Sequence, residues 1–197
     1  MDYEKILTGG DLRSIGNVDT VVANIHNQYE FDRLFALLFH HDRILIMRAA
    51  DAIEKITLEK PEYLKKHKEK MIDLCETAEN KELKWHLALL VSRLVLTERE
   101  LSMIWKKLTQ WATQQDESKI VRVNALQGLF NLVENNKTLT HDFTATLSQI
   151  EKENIPSLNA RIRQLQKKID YYEKGSIYCS DHSIYRFFLP FGILGYH

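Results

Sequence analysis

The sequence predicts an all-α fold, a right-handed α-solenoid of about four helix pairs followed by an aromatic C-terminal tail outside the repeat. Three observations support this prediction: a helical pattern that recurs four times, capping signals between the helices, and glycines gathered at the chain ends. The repeats align on Ala49, Leu87, Ala125 and Ile162, at offsets of 38, 38 and 37 residues. Helical units that recur at such a period are typical of solenoids, in which each unit packs against its neighbours.

Small or aliphatic residues recur within each repeat at i, i+4, i+7, i+8 and i+11, which places them on one face of an α-helix. In the first three copies these residues are Leu45, Ala49, Ala52, Ile53, Ile56, then Leu83, Leu87, Leu90, Val91, Leu94, then Val121, Ala125, Gly128, Leu129, Leu132. The fourth copy has Leu158, Ile162, Leu165, Gln166 and Ile169. We therefore expect these positions to form the core.

Periodicity and capping signals predict nine helices. Their expected bounds are 18–27, 30–40, 43–57, 61–77, 81–95, 97–114, 118–135, 140–153 and 156–172. Pro61 and Pro156 stand at first turns, where no backbone donor is needed. Thr97 and Glu100 have the spacing of a capping box. Gly128, which is poor in helix propensity, predicts a close approach between two helices.

The boundaries follow from the glycines and from the end of the repeat. We expect a flexible N-terminal segment over 1–17, a repeat domain over 18–172 and a separate tail over 173–197. Six of the seven glycines lie outside the repeat domain. The fourth copy carries Arg163, Gln166 and Lys167 on its outer face, as a terminal repeat with no following neighbour requires.

The segment after Asp170 collects eight of the nineteen aromatic residues of the chain. One interpretation is a tail that folds back on the terminal helices or is partly disordered, because apolar segments usually find local cover. The other is a docking or self-association segment. Both interpretations stay open at the level of the sequence.

Composition argues against several classes of function. The chain has 27 basic and 27 acidic residues, so no global field attracts nucleic acid or an anionic membrane. The N-terminus does not resemble a signal peptide, and no stretch approaches the ~18 apolar residues of a membrane span. Cys75 and Cys179 fit neither a metal-site spacing nor a disulfide framework. We expect a cytoplasmic protein with no membrane span, metal or cofactor.

Candidate catalytic groups are few. His40, His41 and Asp42 are the residue types of a metal or acid–base site, but adjacent residues point to different sides and no third ligand stands at metal spacing. We interpret them as polar loop residues between two helices. No phosphate-binding loop, nucleotide fingerprint or metalloprotease motif is present. We therefore expect no enzymatic activity.

The core of each repeat resembles the second helix of HEAT-like (ARM/HEAT) repeat proteins. The four segments read ILIMRAADAIEKI, LKWHLALLVSRL, IVRVNALQGLFNL and SLNARIRQLQKKI. The family pattern is an aliphatic residue, often followed by Arg, and then a small residue, which Val121, Arg122 and Ala125 match best. The other copies depart from it at the position of that Arg, with Ile46, Lys84 and Asn159. The resemblance covers residues 18–172 and implies an interaction scaffold or adaptor, since most proteins similar to these are of that kind.

A polar stripe follows the side of these second helices that the apolar positions leave uncovered. Its members stand at i, i+3 and i+7 of each copy: Arg48, Asp51, Lys55; His86, Leu89, Arg93; Asn124, Gln127, Asn131; Arg161, Gln164, Lys168. In HEAT-like arrays the second helices line the concave side, so the resemblance implies that these sites align there. The plainer interpretation is an ordinary solvated helix face.

The functional hypothesis is that the polar stripe receives a protein or peptide segment that is acidic or rich in amides. The candidate partner-binding residues are Arg48, Lys55, His86, Arg93, Asn124, Gln127, Asn131, Arg161 and Lys168. The arginines would make charge-assisted hydrogen bonds, with Arg93 and Arg161 expected in water, and the amides would make neutral ones.

This hypothesis has two alternatives. The first alternative is a nucleic-acid-binding HEAT-like protein related to DNA glycosylases, which hold duplex DNA in a basic concavity. The balanced charge and the lack of a basic cluster or an identifiable catalytic carboxylate make nucleic acid an unlikely partner. The second is a permanent structural subunit of a larger assembly, which differs from an adaptor only in the lifetime of its contacts.

Overall fold

The computed structural model describes residues 1–8 and 17–179, with the helical backbone alone for 173–179. The described residues form helices and contain no strand, which confirms the all-α prediction. The chain divides into two compact units, residues 1–162 and 163–197. Within the described ranges, no helix has the length and apolar character that crossing a membrane requires.

All nine predicted helices are present, and one further helix precedes them. The α-helices are α1 Tyr3–Leu7, α2 Val18–Ala23, α3 Gln28–Ala36, α4 Arg43–Glu59, α5 Lys68–Thr77, α6 Lys81–Val91, α7 Glu98–Thr113, α8 Lys119–Asn135, α9 Thr140–Glu151 and α10 Pro156–Cys179. Short 3-10 helices cover Leu37–Phe39, Pro61–His67 and Lys137–Leu139. The 3-10 helix at Pro61 and α5 together occupy the predicted helix 61–77.

The chain ends differ from the predicted boundaries. Helix α1 lies inside the segment 1–17 that we expected to be flexible, and residues 9–16 lie outside the described residues. Helix α10 continues to Cys179, seven residues past the predicted end of the repeat domain. The prediction for the aromatic tail falls almost wholly outside the described side chains. In the second unit, Arg163 and Lys167 are exposed and Gln166 is half-buried.

The helices of the first unit stack in two layers. The second helices α4, α6 and α8 contact one another in order, and the first helices α5, α7 and α9 do the same. Contacts within a pair, such as α5 with α6 and α7 with α8, join the two layers. All fifteen aligned positions of the first three copies are buried, which confirms the repeat register read from the sequence.

Gly128 marks the close approach that its place in the repeat predicts. A Cβ atom on Gly128 would lie 2.2 Å from the carbonyl oxygen of Ala88 on α6. It would also lie 3.2 Å from the Cδ1 atom of Leu108 on α7. Only a residue without a side chain lets α8 approach both helices this closely.

Ion pairs connect successive repeats at equivalent positions. The Nζ atom of Lys84 lies 2.6 Å from Glu117 Oε2, and Arg122 Nη2 lies 2.8 Å from Glu153 Oε1. Lys84 and Arg122 occupy the same position of their repeats, and each bonds a carboxylate in the loop before the next second helix. Arg122 is fully buried and also donates from Nε to the carbonyl oxygen of Ala112 at 2.8 Å. That carbonyl belongs to the last turn of α7, which has no helical partner for it.

A second polar cluster holds α3 against the 3-10 helix that follows α4. The ring of His67 stacks on Phe35 at 3.9 Å between centroids, and its Nε2 lies 2.6 Å from Asp32 Oδ1. Desolvation raises the pKa of Asp32, but hydrogen bonds from Lys66, Gln28 and His67 outweigh it and hold the pKa at about 2. Burial lowers the pKa of His67, although Asp32 opposes that shift.

This cluster predicts a loss of stability at low pH. Because the folded pKa of Asp32 lies below its ordinary value of 3.8, its contribution is present above pH 3.8 and is lost as the pH falls towards 2. We expect Asp32→Asn to lower the urea midpoint at pH 7, and the difference from the wild type to narrow as the pH approaches 2. The exposed Asp73→Asn is the control and should change the midpoint little. A difference for Asp32→Asn that does not depend on pH would contradict this assignment.

Candidate binding groove at Arg93

Two members of the polar stripe are buried by contacts inside the chain. Arg48 is 2% exposed, and its Nη1 donates to the carbonyl oxygen of Leu7 in α1 at 2.6 Å. His86 is 6% exposed, and its Nδ1 lies 2.5 Å from Glu54 Oε2 on α4. Since a partner has little access to either side chain, we leave Arg48 and His86 out of the candidate surface.

Three other members form a hydrogen-bonded chain across neighbouring second helices. Arg161 Nη1 donates to Gln127 Oε1 at 2.8 Å, and Gln127 Nε2 donates to Asn131 Oδ1 at 2.8 Å. Asn131 Nδ2 then donates to Ser92 Oγ at 2.9 Å. The stripe therefore does bring successive copies together. Arg161 is half-buried. This differs from the prediction that its side chain stands in water.

Lys55 and Asn124, two further members of the stripe, make contacts of their own. Lys55 Nζ is 2.8 Å from Asp19 Oδ1, so its charge is already paired. Asn124 Nδ2 donates to the carbonyl oxygen of Ile120 in the preceding turn at 2.9 Å. Lys168 is exposed and belongs to the second unit of the chain.

Helix α6 ends at Val91, four residues before the predicted end, because polar side chains provide alternative hydrogen bonds there. Ser92 Oγ donates to the carbonyl oxygen of Leu89 at 2.7 Å and accepts the bond from Asn131. Side chains that bond the backbone of the last turn compete with continuation of the helix. The chain therefore turns at Ser92 and carries Arg93 towards α4.

Arg93 is half-buried against the last turns of α4. Its Nη1 donates to the carbonyl oxygen of Glu54 and to Thr57 Oγ1, both at 2.7 Å. Burial lowers the pKa of Arg93, and the Glu54 carboxylate opposes the shift. Among the described residues, the Nε and Nη2 atoms of Arg93 have no hydrogen-bond partner.

Three neighbouring cavities surround Arg93 at the C-terminal ends of α4, α6 and α8. Their volumes are about 610, 530 and 330 Å³. Arg93 lines all three, Leu94 and Val95 line the first two, and Pro61 lines the first and third. The other lining residues are Glu62, Lys65 and Lys68 in the first; Leu96, Glu98, Leu101, Leu132, Asn135 and Asn136 in the second; and Thr57, Leu58, Ser92, Asn131, Glu134 and Asn135 in the third. We call these cavities together the Arg93 groove.

The comparison with protein families gives a match to a HEAT repeat domain over residues 11–169. The chain belongs to this HEAT repeat family. The match spans all three cavities of the Arg93 groove and confirms the resemblance seen in the second helices. Comparisons with curated proteins and with solved structures gave no match.

Sequence reasoning located only part of the groove of this HEAT repeat domain. Of the nine predicted binding residues, Arg93 and Asn131 line it and the other seven do not. It missed the apolar residues at the helix ends, among them Val95 and Leu58, which are 91% and 69% exposed. A signal was available in the apolar run 94–96 directly before the capping box, since such a run in a loop has no helical face on which to pack.

The groove combines the half-buried cations Arg93 and Lys68 with apolar side chains and a mixed polar rim. The first cavity is lined by three basic residues, Lys65, Lys68 and Arg93, and by one acidic residue, Glu62. Lys68 is already paired with Glu100, at 2.8 Å. No three His, Cys, Asp or Glu side chains come close enough for a metal site in the part of the HEAT repeat chain that the structure describes. The groove is suited to hold an anionic group beside an apolar one.

The residues His40, His41 and Asp42 occupy the loop between the 3-10 helix at Leu37 and α4 of the HEAT repeat domain. The Asp42 backbone N–H donates to His40 Nδ1 at 3.0 Å. The Asp42 carboxylate caps α4 by accepting from the backbone N–H of Ile44 at 2.8 Å. These contacts confirm the interpretation of these residues as polar loop residues.

Proposed function

We propose that this HEAT repeat chain is a non-catalytic interaction scaffold or adaptor that binds a segment of a partner protein in the Arg93 groove. The observation behind this proposal is that three cavities meet at one half-buried arginine between the ends of consecutive second helices. The proposal keeps the predicted right-handed solenoid of about four helix pairs, with the polar stripe on its concave side. The groove lies at the end of that stripe, and Arg93 is common to both.

The dimensions and the rigidity of the groove support binding of an extended segment. Its cavities have the size of ordinary ligand sites, which is roughly 300–1,000 Å³ each. They lie at the ends of three consecutive second helices, and repeat proteins use such extended surfaces for binding. Arg93 is held in place by Glu54 and Thr57, so little side-chain entropy would be lost when a partner binds.

The charges of the groove favour a protein segment over nucleic acid. Glu62, Glu98 and Glu134 line the three cavities, one in each. A phosphate backbone carries a regular row of negative charges, and its binding sites are correspondingly basic along their length. A protein segment can match a surface on which the sign of the charge alternates. Strong, salt-dependent binding of duplex DNA to the chain would contradict the proposal.

Site-specific photo-crosslinking tests this function. A photoreactive amino acid is placed at Val95 in the groove and, as the matched control, at Ile120, an exposed apolar residue in the first turn of α8. We expect one partner protein to be crosslinked repeatedly at Val95 and not at Ile120. After purification, that partner should bind the purified chain. Equal capture from both positions, or no binding between the purified proteins, would contradict the proposal.

A further inference from the structure

We propose that the Arg93 groove recognises a partner segment in which a single acidic residue stands next to an aliphatic residue. The carboxylate pairs with Arg93, and the aliphatic side chain packs in the first cavity on Pro61 and Val95. This inference rests on the proposed function, because it states the chemistry of the segment that the groove would bind.

The geometry of Arg93 favours a carboxylate. Both hydrogen bonds that Arg93 makes among the described residues use Nη1, so within that part of the chain the donors on Nε and Nη2 stay available. These two atoms present parallel N–H groups, and carboxylates accept from such a pair with charge-assisted hydrogen bonds. The same chain provides a precedent, because Arg43 donates to Glu82 Oε2 from Nε at 2.9 Å and from Nη2 at 2.7 Å.

The position of Arg93 strengthens such a pair. Its guanidinium is half-buried, and a charge removed from water interacts more strongly with a counter-ion than an exposed charge does. Lys65, which is exposed on the rim of the first cavity, adds to the positive field. Surface ion pairs contribute little on their own, so the half-buried Arg93 should dominate the recognition of the anion.

The apolar part of the groove favours an aliphatic neighbour. Pro61, Leu94 and Val95 line the first cavity beside Arg93. Val95 is 91% exposed, and a side chain that covers it would remove apolar surface from water. The aliphatic residue must be adjacent to the acidic one because the same cavity has both Arg93 and Val95 in its wall.

The acidic residues that line the three cavities disfavour a segment with several carboxylates. Glu62 lines the first cavity, Glu98 the second and Glu134 the third. Like charges brought together at an interface oppose binding. A run of acidic residues that extended through the three cavities would meet these side chains. A single carboxylate flanked by neutral residues would not.

Selection of random displayed peptides on the full chain tests this inference. We expect the selected peptides to share one Asp or Glu next to Leu, Ile, Val or Met. When that residue is replaced by Asn or Gln in a synthetic peptide, fluorescence anisotropy should show binding weakened about tenfold or more, because a charge-assisted contact is lost.

Substitutions at one exposed residue locate the binding. Val95→Asn is the reference, because Asn has nearly the same shape as Asp without the charge. Relative to it, Val95→Asp should weaken binding about tenfold, and Val95→Lys should not weaken binding. Ile120→Asp should have no effect, because Ile120 lies at the N-terminal end of α8 and the groove lies at its C-terminal end. Arg93→Lys keeps the charge but loses the paired donors and should also weaken binding, with circular dichroism to verify the fold.

Several outcomes would overturn the inference. If the selected peptides bind more weakly to Val95→Asp and yet share no acidic residue, that result would overturn the inference and leave the proposed function standing. Peptides whose binding ignores every substitution in the groove, or the absence of binding peptides, would overturn both. Self-association that Val95→Asp abolishes would assign the groove to a second copy of the chain. Tighter binding of a synthetic peptide of residues 180–197 than of the selected peptides would assign it to the chain's own tail.

Discussion

Replacing Gly128 by Ala is expected to destabilise the protein by about 2–3 kcal/mol, although Ala is the better helix former by about 1 kcal/mol. The added methyl group would lie 2.2 Å from the carbonyl oxygen of Ala88, a backbone atom that cannot turn away. Helices α6 and α8 would have to separate, and the contacts between them would loosen. The free energy of unfolding from urea denaturation measures the effect.

The control for Gly128→Ala separates packing from helix propensity. Ala145 is exposed on α9, so Ala145→Gly should cost only the intrinsic difference of about 0.5–1 kcal/mol. The two substitutions thus change propensity in opposite directions, and both should destabilise. If Gly128→Ala is as stable as the wild type or more stable, α6 and α8 are not as close as the structure has them.

Arg122→Met should destabilise the protein by about 3–5 kcal/mol, the usual effect of removing one partner of a buried ion pair. Methionine fills most of the volume but leaves Glu153 without its counter-ion. It also leaves the carbonyl oxygen of Ala112 without a donor. Urea denaturation at pH 7 gives the difference in the free energy of unfolding.

A second substitution distinguishes the loss of the ion pair from a loss of packing. Adding Glu153→Gln to Arg122→Met removes the unpaired charge, so the double variant should recover part of the lost stability. The exposed Arg99→Met on α7 should stay within about 0.5 kcal/mol of the wild type. A double variant less stable than Arg122→Met alone would show that Glu153 has another partner of greater weight.

The sequence predicted the helices and their core because both depend on local spacing. The buried positions around Ala49, Leu87 and Ala125 follow from helical periodicity, and Thr97 starts α7 through a capping box that the structure confirms. Helix α1 has five residues, too few to show a period, and it was missed. The end of α6 was also misplaced, because the bond from Asn131 to Ser92 joins residues 39 apart in the chain.

The candidate site was harder to predict because exposure depends on what the neighbouring repeats contribute. The stripe positions were placed correctly on adjacent helices, as the bond from Arg161 to Gln127 shows. Their accessibility was not predicted correctly. Arg48, for example, is buried and donates to a carbonyl oxygen of α1, a helix that the sequence pattern did not predict. The groove itself depends on where three helices end, and helix ends are the least certain part of a periodicity argument.

The hydrogen bonds between neighbouring repeats also have a consequence for folding kinetics. Arg43 with Glu82 and Arg93 with Glu54 join residues 39 apart, and Arg122 with Glu153 joins residues 31 apart. Each contact therefore closes a loop of about one repeat, and the entropy lost on closing a loop grows with its length. Proteins built from such near-neighbour contacts fold quickly, because no step has to bring distant parts of the chain together. Any two adjacent repeats can start the process, and the remaining repeats then add to the pair one at a time.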